Sequence, residues 1–395
     1  MSISKRYFAT ILISQSLIDI YYIFNPGKIV IITIVMNALA MFCIYNLRRM
    51  RYFANQGLPR IVSVWIALLF ANSIRSLLFV VSNSDSFRDF LMSLFGISLP
   101  FIMFLAQPCY LRIYFKVRAF LALITALFAA LLWKGYGLSD VPHILMPFSL
   151  FVFYIPFVKI KWRLFIFFVV VFSFFYDVSV RINVLLLSFC LFLLLIHTFF
   201  YSLWLRTYKL LRYLIFILPL LFVFLGYLGI YNVFKDMSEQ DVNVSIEGSK
   251  VGRSYNVDSR SQVYSEFYDS MYKISSQLVG DGPVSFYEDE FHRSTGPFIN
   301  PRMRVEPGIL NITKYYGALG FLVFFILFWK ASNLAVNYSN NDFIKFIGIY
   351  AAFKFFILFI EEPNVSLDTY FAVGLCFNSK IREMGNNDIK NIFYS

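Results

Sequence analysis

Charge is what this chain has least of. Only 15% of its 395 residues are Asp, Glu, Lys or Arg, against about 25% in a soluble globular protein. That deficit excludes a water-soluble enzyme and a disordered chain, which both need a charged surface or a low apolar content. Cysteine is also scarce: Cys43, Cys109, Cys190 and Cys376 lie in or beside apolar runs, so neither a disulfide framework nor a zinc-type spacing is offered. Histidine occurs three times, too thinly spread for a His-based metal cluster. What fills the space is apolar: 59% of residues are hydrophobic, 49 of them Phe, and the mean hydropathy is +0.67. Such a composition describes an all-α polytopic membrane protein.

A helix needs about 20 apolar residues to cross roughly 30 Å of hydrocarbon. About twelve candidate spans satisfy this reading, near 8–25, 28–47, 61–82, 90–108, 119–134, 143–158, 164–180, 182–204, 213–231, 308–329, 343–360 and 367–378. They divide the chain into helices one to nine (1–231), a long polar loop (232–307), and helices ten to twelve with a tail (308–395). Lys5 and Arg6 resemble a signal-peptide start, but no small-residue cleavage site follows, so the first span is expected to remain as an uncleaved helix.

The net charge of +12 would suggest nucleic acid in a soluble protein. Its distribution argues otherwise. Lys5, Arg6, Arg48, Arg49, Arg51, Arg60, Arg112, Lys116, Arg118, Lys159, Lys161, Arg163, Arg206, Lys209, Arg212, Lys330, Lys380, Arg382 and Lys390 all fall in links on one side, against Asp342, Glu383 and Asp388. The positive-inside rule makes that side the cytoplasm, with both termini inside. The long loop, on the opposite side, holds 8 basic and 12 acidic residues. No continuous basic domain remains to meet a phosphate backbone, so no nucleic-acid partner is expected.

The loop is the one polar segment large enough to shape a pocket. Ser259 to Gln262 matches a capping box, and Val263, Phe267, Met271, Ile274 and Leu278 follow at helical spacing, so an amphipathic helix is expected over 259–279, closed by Gly280. Arg260 in its first turn opposes the helix dipole. It either pairs with Asp258 or Glu266, or joins the N-terminal N–H groups as a phosphate clamp. Within or at the ends of spans stand Arg75, Arg181, Lys314, Lys345 and Lys354, where a central cation costs about 2.5–3.5 kcal/mol on the lenient insertion scale. Lys345 and Lys354 read as snorkelling or packed residues. Arg75, beside Asn72 and Ser73, reads as functional or as inter-helix glue. Arg181 follows Asp177 by four residues, an i,i+4 pair. His143 and His197 read as structural.

These residues carry a resemblance. Arg181 opening an apolar run, the Asp258-Ser259-Arg260 string, Leu278 to Pro283 with Gly280 and Gly282, and Glu306 to Gly320 with Gly317 are similar to motifs of the O-antigen polymerase and O-antigen ligase superfamily, the polymerase family in particular. The likeness spans about 173–330; the first half agrees in topology only. It implies a GT-C-like bundle of about twelve helices in the bacterial inner membrane, with the long loop in the periplasm. The implied activity is glycosyl transfer from an undecaprenyl-diphosphate-linked glycan, without cofactor or metal. In the polymerase branch the acceptor is another lipid-linked oligosaccharide repeat unit, in lipopolysaccharide O-antigen synthesis; in the ligase branch it is lipid A-core. By the same resemblance Arg181 and Arg260 hold the diphosphate, supported by Arg302, Arg304 and Arg75, and a chain-length regulator is an implied partner. Glu306 stands where ligases commonly carry His, and it would act as general base, neutralise Arg302 or Arg304, or orient sugar hydroxyls. His292 is off the motif, contacting sugar or simply exposed. A flippase for lipid-linked oligosaccharides is the competing reading from another class, although no internal repeat supports it.

Overall fold

The computed structural model describes residues 3–24, 30–49, 59–77, 99–132, 146–176, 181–227, 264, 267, 274–282, 307–360 and 366–394. Among these residues there is no strand. The helices are α1 (Ile3–Phe24), α2 (Val30–Arg49), α3 (Arg60–Leu77), α4 (Pro108–Leu132), α5 (Ile160–Tyr176), α6 (Arg181–Phe199), α7 (Tyr201–Tyr227), α8 (Ile274–Val279), α9 (Gly308–Asn337), α10 (Asp342–Ile357), α11 (Leu367–Phe377), α12 (Ser379–Glu383) and α13 (Asn386–Tyr394). The all-α expectation therefore holds for the described residues. One helix among them, α9, is both long and apolar enough to cross a membrane by length and composition; the segments Val184–Phe199 and Leu367–Phe377 are apolar but shorter.

Two expected spans take another form. Pro100–Leu105 and Met146–Phe157 wind as 3₁₀ helices. Pro100 opens the first, while Pro147 and Pro156 withhold N–H groups from the second, which disfavours a regular α ladder there. The helix expected from 119 begins at Pro108 instead. Arg112, Lys116 and Arg118, expected in a polar link, are thus part of the first three turns of α4.

Burial explains why Arg118 is tolerated there. It is only 4% exposed, and its guanidinium donates to the Asp368 carboxylate of α11 at 2.6 and 2.7 Å and to Ser16 of α1 at 2.5 Å. The Tyr114 hydroxyl donates to the same carboxylate. The buried Arg118–Asp368 pair thus ties α1, α4 and α11 together. Arg212, also expected in a link, is 0% exposed on α7. The link expected between the eighth and ninth spans, over 205–212, moves to Phe200 alone, since α6 ends at Phe199 and α7 starts at Tyr201.

At the bundle's centre α9 and α10 run antiparallel. One end is pinned by Ile309 N–H donating to the Leu358 carbonyl at 2.8 Å. The other end is organised by Asn341, which caps α10 through Ile344 N–H (2.9 Å) and donates to the Ile381 and Met384 carbonyls (2.8 and 2.9 Å). Beside it Asp342 accepts from Asn386 of α13, Tyr201 of α7 and His197 of α6. His197 therefore has the structural role its apolar setting suggested. Phe393 of α13 closes this end against Phe115, Tyr154 and Phe343.

Candidate functional site

The end of the bundle opposite Asn341 brings together two of the sequence motifs named above. The described part of the loop helix, α8, ends at Gly280, whose N–H donates to the Ser276 carbonyl at 2.8 Å and whose φ is 76°. That left-handed conformation favours glycine. Facing it, α9 breaks at Gly317 (φ 66°, ψ −168°). The break leaves the Lys314 carbonyl turned to a new donor, the Asp281 N–H, at 2.7 Å. The contact is backbone on backbone: a Cβ on Gly280 would stand 2.5 Å from the Tyr315 and Tyr316 main chain, and one on Gly317 would collide with Leu278. Two glycines 37 positions apart thus form one joint. The spacing pattern named both motifs without indicating that they meet.

Side chains complete the joint from a third direction. Arg75, near the end of α3, donates from Nη2 to the Gly280 carbonyl. Ser76 lies against Gly282, where a Cβ would come within 2.8 Å of its hydroxyl. The Asp281 carboxylate accepts from Ser276 at 2.5 Å, which holds the turn closed. Trp65, two and a half turns before Arg75, packs edge-on to Tyr316 at 5.4 Å and donates to the Tyr370 hydroxyl at 3.2 Å. Arg75 is therefore both glue and a cation at the site: Nη2 of its part-buried guanidinium is committed to the Gly280 carbonyl.

Lys314 supplies a second cation at this joint. It is 2% exposed, on the turn of α9 just before the break, with its ammonium 5.7 Å from the Tyr315 ring. An apolar cavity of about 470 Å³ opens at the preceding residue, Thr313, and is lined also by Leu220, Val223, Tyr264, Phe321 and Phe359; the Lys314 side chain does not line it. That size lies within the range of small-molecule sites, about 300–1,000 Å³. Tyr264, itself in the lining, donates to the Phe359 carbonyl at 3.0 Å. Two cations at the joint and an apolar groove on the same helix suit a ligand with an anionic head and a hydrocarbon tail.

Of the residues singled out from sequence, Arg75 stands at this joint. Arg181 opens α6, but its side chain lies outside the described residues; so do Arg260, His292, Arg302, Arg304 and Glu306, together with His143 and Asp177. Lys314 was visible only as a charge in a span. Its closeness to Gly317, in a run where glycine breaks a long helix, was the available signal. The Asp368–Arg118 pair gave no such signal, because 250 positions separate its members.

No protein-family model matches the chain, and no curated protein or solved structure is significantly similar to it.

Proposed function

We propose that this chain is a polytopic inner-membrane glycosyltransferase of the O-antigen polymerase kind, which extends a glycan held on undecaprenyl diphosphate at the periplasmic face. The observation that carries the reading is the joint itself: the loop motif at 278–282 and the helix motif at 308–320 meet through Gly280 and Gly317, with Arg75 bonded to Gly280, Lys314 one turn before the break, and an apolar groove lined by Thr313 and Phe321 of the same helix. Membrane placement is supported by α9 and by faces of α5, α6 and α7 on which Phe167, Phe168, Phe192, Leu195, Ile217 and Phe224 are each more than half exposed. Apolar surface of that extent is costly in water and costs nothing in lipid.

The chemistry follows from the leaving group. Breaking the glycosidic bond to a lipid diphosphate develops negative charge on phosphate oxygens, and fixed cations in a poorly hydrated site lower that barrier. Arg75 and Lys314 are positioned for this role at the joint. In this proposal Arg181 and Arg260 add the planar forks that bind phosphate, with Arg302 and Arg304 at the same boundary. Glu306, one residue before the Pro307 that opens α9, takes the proton from the acceptor hydroxyl. Because the donor is already activated, no nucleotide enters.

The test is chain growth by purified protein in detergent, supplied with lipid-linked repeat units. Arg181→Ala and Arg260→Ala are expected to abolish polymer while leaving expression and insertion intact; normal polymer from either removes it from the diphosphate site. Full activity in Glu306→Gln removes Glu306 as base. A flippase is the second reading, favoured by the 3₁₀ segments and by the buried Arg118–Asp368 pair, since transporters build their sites from discontinuous helices and internal charges. It predicts no growth in detergent and lipid-linked glycan movement in vesicles.

A further inference from the structure

Arg212 is a buried cation that the proposed reaction does not use. It sits on α7 toward the Asn341 end of the bundle, far along the helix from the glycine joint. Its guanidinium is caged by aromatic rings: Trp329 of α9 at 4.2 Å, Tyr213 at 4.7 Å and Phe216 at 5.9 Å. One nitrogen, Nη2, donates to the Trp329 carbonyl at a long 3.4 Å. Nε and Nη1 are buried without a well-formed hydrogen bond; among the described residues the adjacent Tyr213 hydroxyl is the one polar side chain acting on the guanidinium, and no carboxylate pairs with it. A buried, unbalanced guanidinium with unmet N–H groups is strongly disfavoured unless an acceptor completes it.

The surroundings say what that acceptor is. Lys209 and Arg206 are exposed on the preceding turns of α7, and Lys330 is exposed beside Trp329. On the following turns Leu214, Ile217 and Leu221 are exposed instead. Leu203, Leu205 and Leu210 are exposed among those basic residues, and Arg212 marks the level past which α7 carries no further charge through Tyr227, the level at which a lipid headgroup stands. Trp329 and Tyr213 are the aromatic types that gather at that level. Tyr213, 40% exposed, is the ring with room to swing aside.

We propose that Arg212, at the seam between α7 and α9, binds the phosphate of an anionic phospholipid of the cytoplasmic leaflet once Tyr213 swings aside. The guanidinium donates to the phosphate oxygens, Lys209 and Lys330 form the rim, and the acyl chains lie along Leu214, Ile217 and Leu221. Basic clefts between helices on the cytoplasmic side are suited to this chemistry. The inference rests on the membrane placement proposed above and not on the transferase activity.

The full chain is purified in detergent, stripped of lipid, and titrated with phosphatidylglycerol or phosphatidylcholine under native mass spectrometry. Wild type is expected to retain phosphatidylglycerol preferentially. Lys209→Gln/Lys330→Gln, which changes exposed residues only, lowers that preference several-fold with an unchanged melting midpoint. Arg212→Met lowers it about tenfold or more, as the loss of hydrogen bonds to a charged group does. In lipid-free detergent Arg212→Met melts higher than wild type, since the unmet N–H groups are gone, and added phosphatidylglycerol reverses the order. Equal retention of both lipids by wild type overturns the proposal. So does displacement of phosphatidylglycerol by millimolar inorganic phosphate, which would make the cleft a free-anion site. Solubility of the chain without detergent is a separate outcome that would remove the membrane placement itself.

Discussion

Replacing Gly317 with Ala tests the joint directly. The backbone there, φ 66° and ψ −168°, is a conformation nearly confined to glycine, and holding another residue in it costs about 1–3 kcal/mol. The added methyl also meets the Leu278 main chain. Relief requires α8 to retreat, which breaks the Asp281–Lys314 and Arg75–Gly280 hydrogen bonds, each contributing about 0.5–1.5 kcal/mol. The two effects together come to about 2–6 kcal/mol. Because α8 is a six-residue helix resting on α9, the cost falls on its docking and leaves the bundle folded. Amide exchange over 276–282 should therefore rise about 30-fold or more, while amides of α10 and α11 stay protected. Polymer formation should fall in parallel, because Arg75 and Lys314 lose their common frame. Unchanged exchange at Gly280 and Asp281 in the Ala variant would refute the joint. Leu319→Ala, on an exposed face two residues along, is the control that should move neither measurement.

Breaking the buried pair by Asp368→Ala or Arg118→Ala should each cost about 3–5 kcal/mol in unfolding assays, because either leaves a buried polar partner uncompensated. The double change Arg118→Met/Asp368→Leu should recover most of that loss; strictly additive losses would show that the two residues do not act as a pair. At the Asn341 end, burial pushes the Asp342 carboxyl up, but bonds from His197 and Asn386 and the Lys345 charge outweigh it and hold the group well below its ordinary value of 3.8. A depressed folded value means stability that is fully present above pH 3.8 and is lost as pH falls below it toward the folded value. Asp342→Asn should flatten that acid limb, and an unaltered acid melting profile in the variant would remove Asp342 from this role. Finally, alkaline carbonate should leave the chain in the membrane fraction, whereas release would remove the bilayer as its solvent.

Local chemistry accounts for what was legible in the sequence. Apolar runs and the lack of charge specify helices, and α1, α2, α5 and α6 fall within the expected spans give or take a turn. Gly280 ends the loop helix because its position after Leu278 follows the helical spacing. Where proline intervened, periodicity misled: 146–157 is as apolar as any span, yet it winds as 3₁₀. Basic residues misled in a different way. A cluster of Arg and Lys reads as a solvated link, but Arg118 and Arg212 turn inward because a carboxylate or aromatic rings await them on distant helices.

Composition and periodicity, read along one strand of sequence, determined that this protein is helical, that it is apolar enough for lipid, and that one polar loop interrupts it. All three properties arise between neighbours within a turn or two or from composition alone. Tertiary structure alone decided which motifs touch. Gly280 and Gly317 meet because neither has a Cβ to hold two backbones apart, and Arg75 reaches Gly280 from a helix 205 positions earlier. Contacts of that kind depend on how helices pack across the bundle, which no local run of residues encodes.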